Sequence, residues 1–330
     1  MTKPGIKSYL DPFMVILLVT VIVAYFFPAL GKKDSHIPLD TISSVGIAMI
    51  FLFYGLKLSP QKLRDGLKNI KLHILVQFST FVLFPLLVLP FYWTVHTEQN
   101  QMIWLAFFFL AALPSTVSSS VVMVSAAGGN VPAAIFNASV SGLIGILVTP
   151  FLMSFFISQS GGDFDISIVY IKLLTEIILP VIAGLLLQPY FGKFTARYAK
   201  ILTQFDRAVI LLIIYKSFVR SFEENVFSTV APFDLGLIFL LTCGLFVLVY
   251  FLTGKMSQYQ HFSREDRITA QYCGTKKSLV HGTVFSKILF PVAYPMGIIL
   301  LPLMIYHALQ ILVISVLATK EGNKKENHLN

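Results

Sequence analysis

The sequence predicts an all-α polytopic membrane protein of ten transmembrane helices, built as a 5+5 inverted repeat whose fourth and ninth helices are broken. Three observations carry this prediction. Of the 330 residues, 56% are apolar and only 12% charged, with a mean hydropathy of +0.77; soluble domains carry about 25% charge. The apolar residues fall into ten segments, most of them longer than the ~20 residues a helix needs to cross a bilayer. Two polar interruptions stand at matched places in the two halves of the chain.

The ten segments are Pro12–Leu30, Pro38–Lys57, Leu72–Trp93, Met102–Ala127, Val131–Ile157, Ser167–Pro189, Arg207–Phe222, Phe233–Gly254, Ile268–Phe290 and Tyr294–Leu317. The seventh is short and carries Lys216. The first run is long enough to span and lacks a small-residue cleavage pattern, so no cleavable signal peptide is expected. Little chain is left for a soluble catalytic domain. Cys243 and Cys273 lie in different spans and suggest neither a disulfide framework nor a metal knuckle.

Net charge is +9, and its placement gives the orientation. With the N-terminus inside, Lys and Arg gather in the N-tail and at the inner ends of the even loops, including Lys57, Lys62, Arg64, Lys68 and Lys71 after the second span. The outer side carries Lys32, Lys33, Arg220 and Lys287. The positive-inside rule therefore places both termini in the cytoplasm. The expected location is the plasma membrane, or the inner membrane in a Gram-negative cell. Basic residues are not gathered on a soluble face, so no nucleic-acid partner is expected.

The midpoint falls in the loop Gln159-Ser160-Gly161-Gly162-Asp163. It divides residues 1–158, spans one to five, from residues 159–319, spans six to ten. Five is odd, so the second half enters the membrane with opposite polarity, which is the arithmetic of an inverted repeat. Each broken fourth span is followed by a hinge, at Gly128-Gly129-Asn130 and near Pro291. Residues 320–330 are polar and expected to be a disordered cytoplasmic tail.

The first break is Pro114-Ser115-Thr116-Val117-Ser118-Ser119-Ser120 and the second Gln271-Tyr272-Cys273-Gly274-Thr275-Lys276-Lys277-Ser278. Broken backbone at membrane depth has to face a cavity or another helix, because its freed N–H and C=O groups find no water in lipid. A matched pair of breaks points to the substrate site of a repeat-built carrier. Lys276 stands roughly 13 Å into its span at the helical rise, where a charge costs roughly 2.5–3.5 kcal/mol. At least one of Lys276 and Lys277 is expected to line a polar cavity, binding an anionic solute or holding a cation's place. The alternative is a lysine that snorkels or pairs with a carboxylate such as Glu176. Ser115, Thr116, Ser118, Ser119 and Ser120 offer oxygen ligands for sodium or donors for an anion; serines also allow close helix packing. Asn137 and Gln77 are intramembrane amides, ligands or interhelical hydrogen bonds. His281 reads as a packing or hydrogen-bonding residue.

At these motifs the chain resembles the bile acid:sodium symporter family, and within it the SBF-like branch that includes solute carrier family 10 member 7. The carrying residues are Leu113 to Ser120, Gly128-Gly129-Asn130, Ala134-Ile135-Phe136-Asn137 and Tyr272 to Leu279. The resemblance implies a panel domain of spans one, two, six and seven and a core domain of spans three to five and eight to ten. It also implies that spans four and nine cross at mid-membrane, and that the core moves against the panel in alternating access. Sodium ligands of the family fall on Ser119, Ser120 and Asn137, with Gln77 matching a glutamine of span three. Aligned on Gly274, the family's sodium-binding glutamate falls at Tyr272 and its glutamine at Lys276.

The function expected is secondary-active transport of a small organic, anionic solute, with Ser119, Ser120, Asn137, Gln77, Thr275 and Lys276 lining the crossing. Its coupling to sodium is weakened by an ammonium near the ion position, which repels it by about 4 kcal/mol at 4 Å for an effective dielectric of 20. No cofactor is expected beyond a sodium ion. The alternatives are a proton-coupled or uncoupled carrier of the same fold, and a non-transporting regulatory membrane protein. No enzyme is expected, since no paired acidic motif, His-Glu-x-x-His or Ser-His-Asp set stands in the sequence.

Overall fold

The computed structural model describes residues 12–32, 37–58, 69–116, 118–157, 171–225, 231–291 and 294–327, without the side chains of Ser118 and of residues 323–327. Every regular element among them is a helix, the form in which a chain this apolar satisfies its own backbone in lipid. We number the helices α1 (Pro12–Phe26), α2 (Leu39–Lys57), α3 (Ile70–Thr94), α4 (Glu98–Ala112), α5 (Ser118–Ala126) and α6 (Val131–Ile157). The second half follows as α7 (Ile171–Arg197), α8 (Ala199–Glu223), α9 (Pro232–Tyr259), α10 (Arg264–Gly274), α11 (Leu279–Leu289) and α12 (Met296–Asn327). Six of these are long and apolar enough to cross a membrane: α2, α3, α6, α7, α9 and, over Met296–Gly322, α12. The protein is a multi-pass membrane protein.

Helix α1 is apolar but shorter. Within the seventh apolar segment, helix α8 carries three cations, each with a partner: Arg207 lies 5.0 Å from the Phe13 ring centre, Lys216 pairs with Asp40, and Arg220 pairs with Glu224 at 2.7 Å. The fourth and ninth apolar segments are each divided into two half-helices, α4 with α5 and α10 with α11. The midpoint loop lies outside the described residues, as do residues 292 and 293 beside the second hinge. At the first hinge Gly128 has φ 71°, a left-handed conformation that glycine takes without steric penalty. Over 320–327 α12 runs on as helix. No proline interrupts that stretch, and Arg264 holds Glu321 through both its carboxylate, at 3.1 Å, and its carbonyl, at 2.9 Å.

Two helices contain a π-turn for the same reason. In α3 it covers Ser79–Leu83 and precedes Pro85; in α7 it covers Leu174–Ile178 and precedes Pro180. A proline ring clashes with the carbonyl four residues back. One extra residue in the turn relieves the clash, and the N–H before each proline reaches back five residues, Phe84 to Ser79 and Leu179 to Leu174.

Packing follows the small residues. Helices α2 and α7 meet most closely at Gly55 and Gly184, where an added Cβ would press on the Val181 and Leu52 carbonyl oxygens respectively. Helix α8 packs against α1 and α2; α4 lies against α3, α6 and α12; α10 lies against α3, α5, α6 and α9. Helix α11 is held between α6, α8 and α12. The result sets the ends of α4 and α10 and the start of α11 in the interior, where Cys273 to Lys277 have no exposed surface.

Candidate site at the crossing of two broken helices

Leu113 leaves the helix because Pro114 follows it, and a residue before proline is pushed to extended geometry; its ψ is 150°. The last carbonyls of α4 are thereby orphaned. Thr149 of α6 donates its hydroxyl to Ala112 O at 2.7 Å. The Ser115 N–H, which a continuing helix would give to Ala111, goes to Ser141 Oγ at 2.9 Å.

The second break is secured from three sides. Ser115 Oγ donates to Cys273 O at 2.7 Å, and the Ser278 N–H donates to Pro114 O at 2.9 Å, so the two breaks lie directly against each other. Tyr306 of α12 donates to Thr275 O at 2.6 Å. Gln310, one turn on, accepts the Lys277 N–H and donates to the Lys277 carbonyl, both at 2.8 Å. Its amide thus pairs with the interrupted backbone as another peptide group would. Ser278 then caps α11 by accepting the His281 N–H at 3.2 Å.

Lys277 is the centre of the arrangement. Its Nζ donates to Thr80 O at 2.7 Å, Ala111 O at 2.7 Å and Leu113 O at 2.8 Å, which uses all three ammonium protons. Two prolines make these acceptors available. The π-turn before Pro85 takes the Phe84 N–H away from Thr80, and Pro85 has none to offer; Pro114 ends α4 and frees Ala111 and Leu113. The positive charge also sits at the negative end of the α4 dipole and 4.0 Å from the Phe84 ring centre.

Lys276 faces elsewhere. The chain is non-helical over 276–278, and the Lys276 ammonium meets the Met123 sulfur of α5 at 3.0 Å. A thioether is a weak acceptor. The fully buried Lys276 is therefore a cation with little compensation, against the helix whose first turn carries the hydroxyls of the first break. There Thr116 and Ser119 hydrogen-bond each other at 3.0 Å, while Ser120 Oγ is buried with no partner among the described residues. The Ser118 side chain lies outside those residues.

Gln77 and Asn137 come together. Gln77 Nε2 donates to Asn137 O at 3.2 Å and to its Oδ1 at 3.3 Å, and Asn137 Nδ2 is 2.9 Å from both His73 Nδ1 and Ala133 O. Gln77 Oε1 and Tyr272 Oη, like Ser120 Oγ, are buried polar atoms without a described partner. Thr275 behaves differently: its hydroxyl folds back on Gln271 O at 2.6 Å and closes the end of α10. Lys277, Ser115 and Thr275 thus hold the crossing together, whereas Lys276, Ser120, Gln77 and Tyr272 keep unused polar atoms.

Sequence reasoning missed three parts of this structure. Gln310 and His307, 2.9 Å apart, lie in the last span; a glutamine in so apolar a helix was the available signal. Tyr54 of α2 donates a very short hydrogen bond to Ser139 O of α6, and no pattern in the chain marks it. Asp266 gathers three helix starts: it accepts Asn69 Nδ2 at 2.6 Å and Asn130 Nδ2 at 2.8 Å, and its own N–H is capped by Ser263 at 3.2 Å. Asn69 caps α3 through Leu72, and Asn130 caps α6 through Ala133.

The sequence profile of the SBF-like CPA transporter family matches residues 11–322. The chain is 35% identical to "Putative symporter YfeH" of Escherichia coli (strain K12) over 318 residues, covering 96% of this chain and 94% of that protein. It is 30% identical to "Sodium/bile acid cotransporter 7-B" of Xenopus laevis over 313 residues, covering 92% and 90%. The same identity and coverages hold over 310 residues for "Sodium/bile acid cotransporter 7" of Mus musculus. A buried crossing of two broken helices in a multi-pass chain, matched almost end to end, makes this protein a membrane transporter, and the chain belongs to the SBF-like CPA transporter family.

Proposed function

We propose that this protein is a secondary-active, alternating-access carrier of a small organic anion whose transport does not require sodium. The observation that carries the reading is the Lys277 ammonium, seated among three carbonyl oxygens at the crossing of the broken helices. Inward-facing carbonyls at a helix end are the ligands a hard monovalent cation would use; here a tethered ammonium uses them. The second support is the donor set. Ser119, Ser120 and Asn137 bring no carboxylate, Asn137 Oδ1 is already taken by Gln77, and the glutamate position of the family holds Tyr272. A free sodium ion therefore has neither an anionic ligand nor the crossing carbonyls.

In this reading the substrate anion meets Lys276, and the unpartnered hydroxyls of Ser120 and Tyr272 are the further donors it recruits, while Gln77 Oε1 is an acceptor left for a donor group of the solute. The ten spans form two inverted halves with both termini in the cytoplasm. A core of spans three to five and eight to ten shifts against a panel of one, two, six and seven, in the plasma membrane or a Gram-negative inner membrane.

Thermal unfolding of the purified protein in sodium chloride and in choline chloride tests the coupling, since a ligand of the folded state raises stability by RT ln(1 + [L]/Kd). Equal curves are expected; a sodium-specific rise overturns sodium independence. Uptake of a panel of mono- and dicarboxylates into proteoliposomes tests the transport. Uptake lost in Lys276→Gln is expected, and a silent Lys276→Gln removes Lys276 from the site.

A proton-coupled carrier of the same fold is the second reading. The thioether partner of Lys276 favours it, because among the described residues no carboxylate pairs with that ammonium. Its mark is a pH dependence of uptake that disappears in Lys276→Arg.

A further inference from the structure

Away from the crossing, a cavity of about 120 Å³ opens between α2 and α8 on one side and α11 and the start of α12 on the other. Lys216, Arg220 and Lys287 line it, against one lining carboxylate, Asp40. Two of these cations are engaged: Lys216 with Asp40, and Arg220 with Glu224. Lys287 has neutral partners. Its Nζ donates to the Asp40 carbonyl and to Ser44 Oγ, both at 3.0 Å. Glu176 and Lys172 of α7 act on it at longer range with opposite signs. Phe290, Pro291 and Met296 give the cavity an apolar wall beside the cations.

We propose that this cavity is a binding site for a small oxyanion, a carboxylate or phosphate group, and that Lys287 is its principal ligand. The partners Lys287 now holds, one carbonyl and one hydroxyl, are neutral, and an anionic oxygen would displace them by adding the attraction of opposite charges that they lack. Lys216 and Arg220 lie on the opposite wall and can close on the same group by exchanging carboxylates. The volume suits a charged head group, being below the ~300–1,000 Å³ of sites that enclose whole drug-sized ligands.

The site has a second consequence. The bonds of Lys287 join α11 to α2. An anion that takes Lys287 releases that tie, so binding frees the two helices to move apart. This role rests on the carrier reading above; the existence of the site does not.

The experiment is thermal unfolding of the detergent-purified full chain, titrated with inorganic phosphate and with succinate, with chloride as the control anion. Parallel samples in nanodiscs of phosphatidylcholine alone or with phosphatidylglycerol distinguish a soluble anion from a lipid head group. Stabilisation by phosphate, succinate or phosphatidylglycerol is expected in the wild type. Roughly tenfold or greater weakening is expected in Lys287→Met, retention in Lys287→Arg, and tightening in Asp40→Asn, which removes the competing carboxylate. Stabilisation equal in Lys287→Met and wild type, or absent with every anion in folded wild-type protein, overturns the site. Carboxylate uptake is measured separately, so loss of binding here leaves the carrier reading intact, and absence of uptake leaves the site intact.

Discussion

Ser115 and Cys273, 158 residues apart, are joined by a 2.7 Å hydrogen bond from the serine hydroxyl to the cysteine carbonyl. Together with the Ser278 N–H on Pro114 O, it closes the contact between the two broken spans. Ser115→Ala leaves the Cys273 carbonyl buried without that donor. The expected loss is about 1–3 kcal/mol, read as a lower midpoint of thermal unfolding. Ser115→Thr keeps the hydroxyl and is expected to recover most of it; an Ala variant as stable as wild type would show that the bond contributes nothing.

The two adjacent lysines are expected to separate cleanly. Lys277→Met orphans three carbonyls, at roughly 1–3 kcal/mol each, so the variant unfolds at far lower temperature or fails to accumulate. Lys276→Met removes a buried charge whose described partner is a thioether. Such replacements are often neutral or stabilising, so the protein folds while carboxylate uptake stops. Equal thermal profiles for the two variants would contradict these assignments.

Gly55 and Gly184 let the backbones of α2 and α7 approach each other, and overpacking there is expected to cost about 1–3 kcal/mol or more. Gly236 and Gly244 in α9 have open space around a Cβ. Gly236→Ala and Gly244→Ala are expected to be neutral, or to stabilise by up to about 1 kcal/mol, whereas Gly184→Leu destabilises. Unfolding midpoints of the three proteins in one detergent check the contrast.

Asp266 is expected to matter for stability out of proportion to its half-exposed position. Asp266→Ala frees the Asn69 and Asn130 amides that cap α3 and α6, a loss of about 2 kcal/mol at the scale of a broken cap. Hydrogen exchange is expected to quicken at Leu72 and Ala133 in the first turns of α3 and α6. Unchanged exchange there would remove Asp266 from the role.

The breaks were legible because their cause is local. Pro114 bars Leu113 from helical geometry, and the polar run at 271–278 cannot lie against lipid. The roles of the two lysines were not legible, because they depend on whether 276–278 is helix or extended chain, and on which carbonyls two distant prolines release. Asn137 and Gln77 stood out as amides in apolar spans, and their contact is in the structure. Gln310 carried the same signal. Asp266 lies in a charged stretch that reads in the sequence as a solvated loop and is the first turn of α10, and its partners at 69 and 130 cap other helices, which no local pattern connects.

The Lys277 tether also sets an order of assembly. The carbonyls of Ala111 and Leu113 are inserted long before their ammonium exists, since 164 residues separate Leu113 from Lys277. At about 5–20 residues per second, synthesis leaves that helix end waiting roughly 10–30 s. The Gln310 clamp comes later still, with the final span. The amino-terminal half therefore enters the bilayer with an open seam in its fourth span that only its own carboxy-terminal half can seal. Nascent chains arrested before residue 277 are the stage at which misassembly and proteolysis would act.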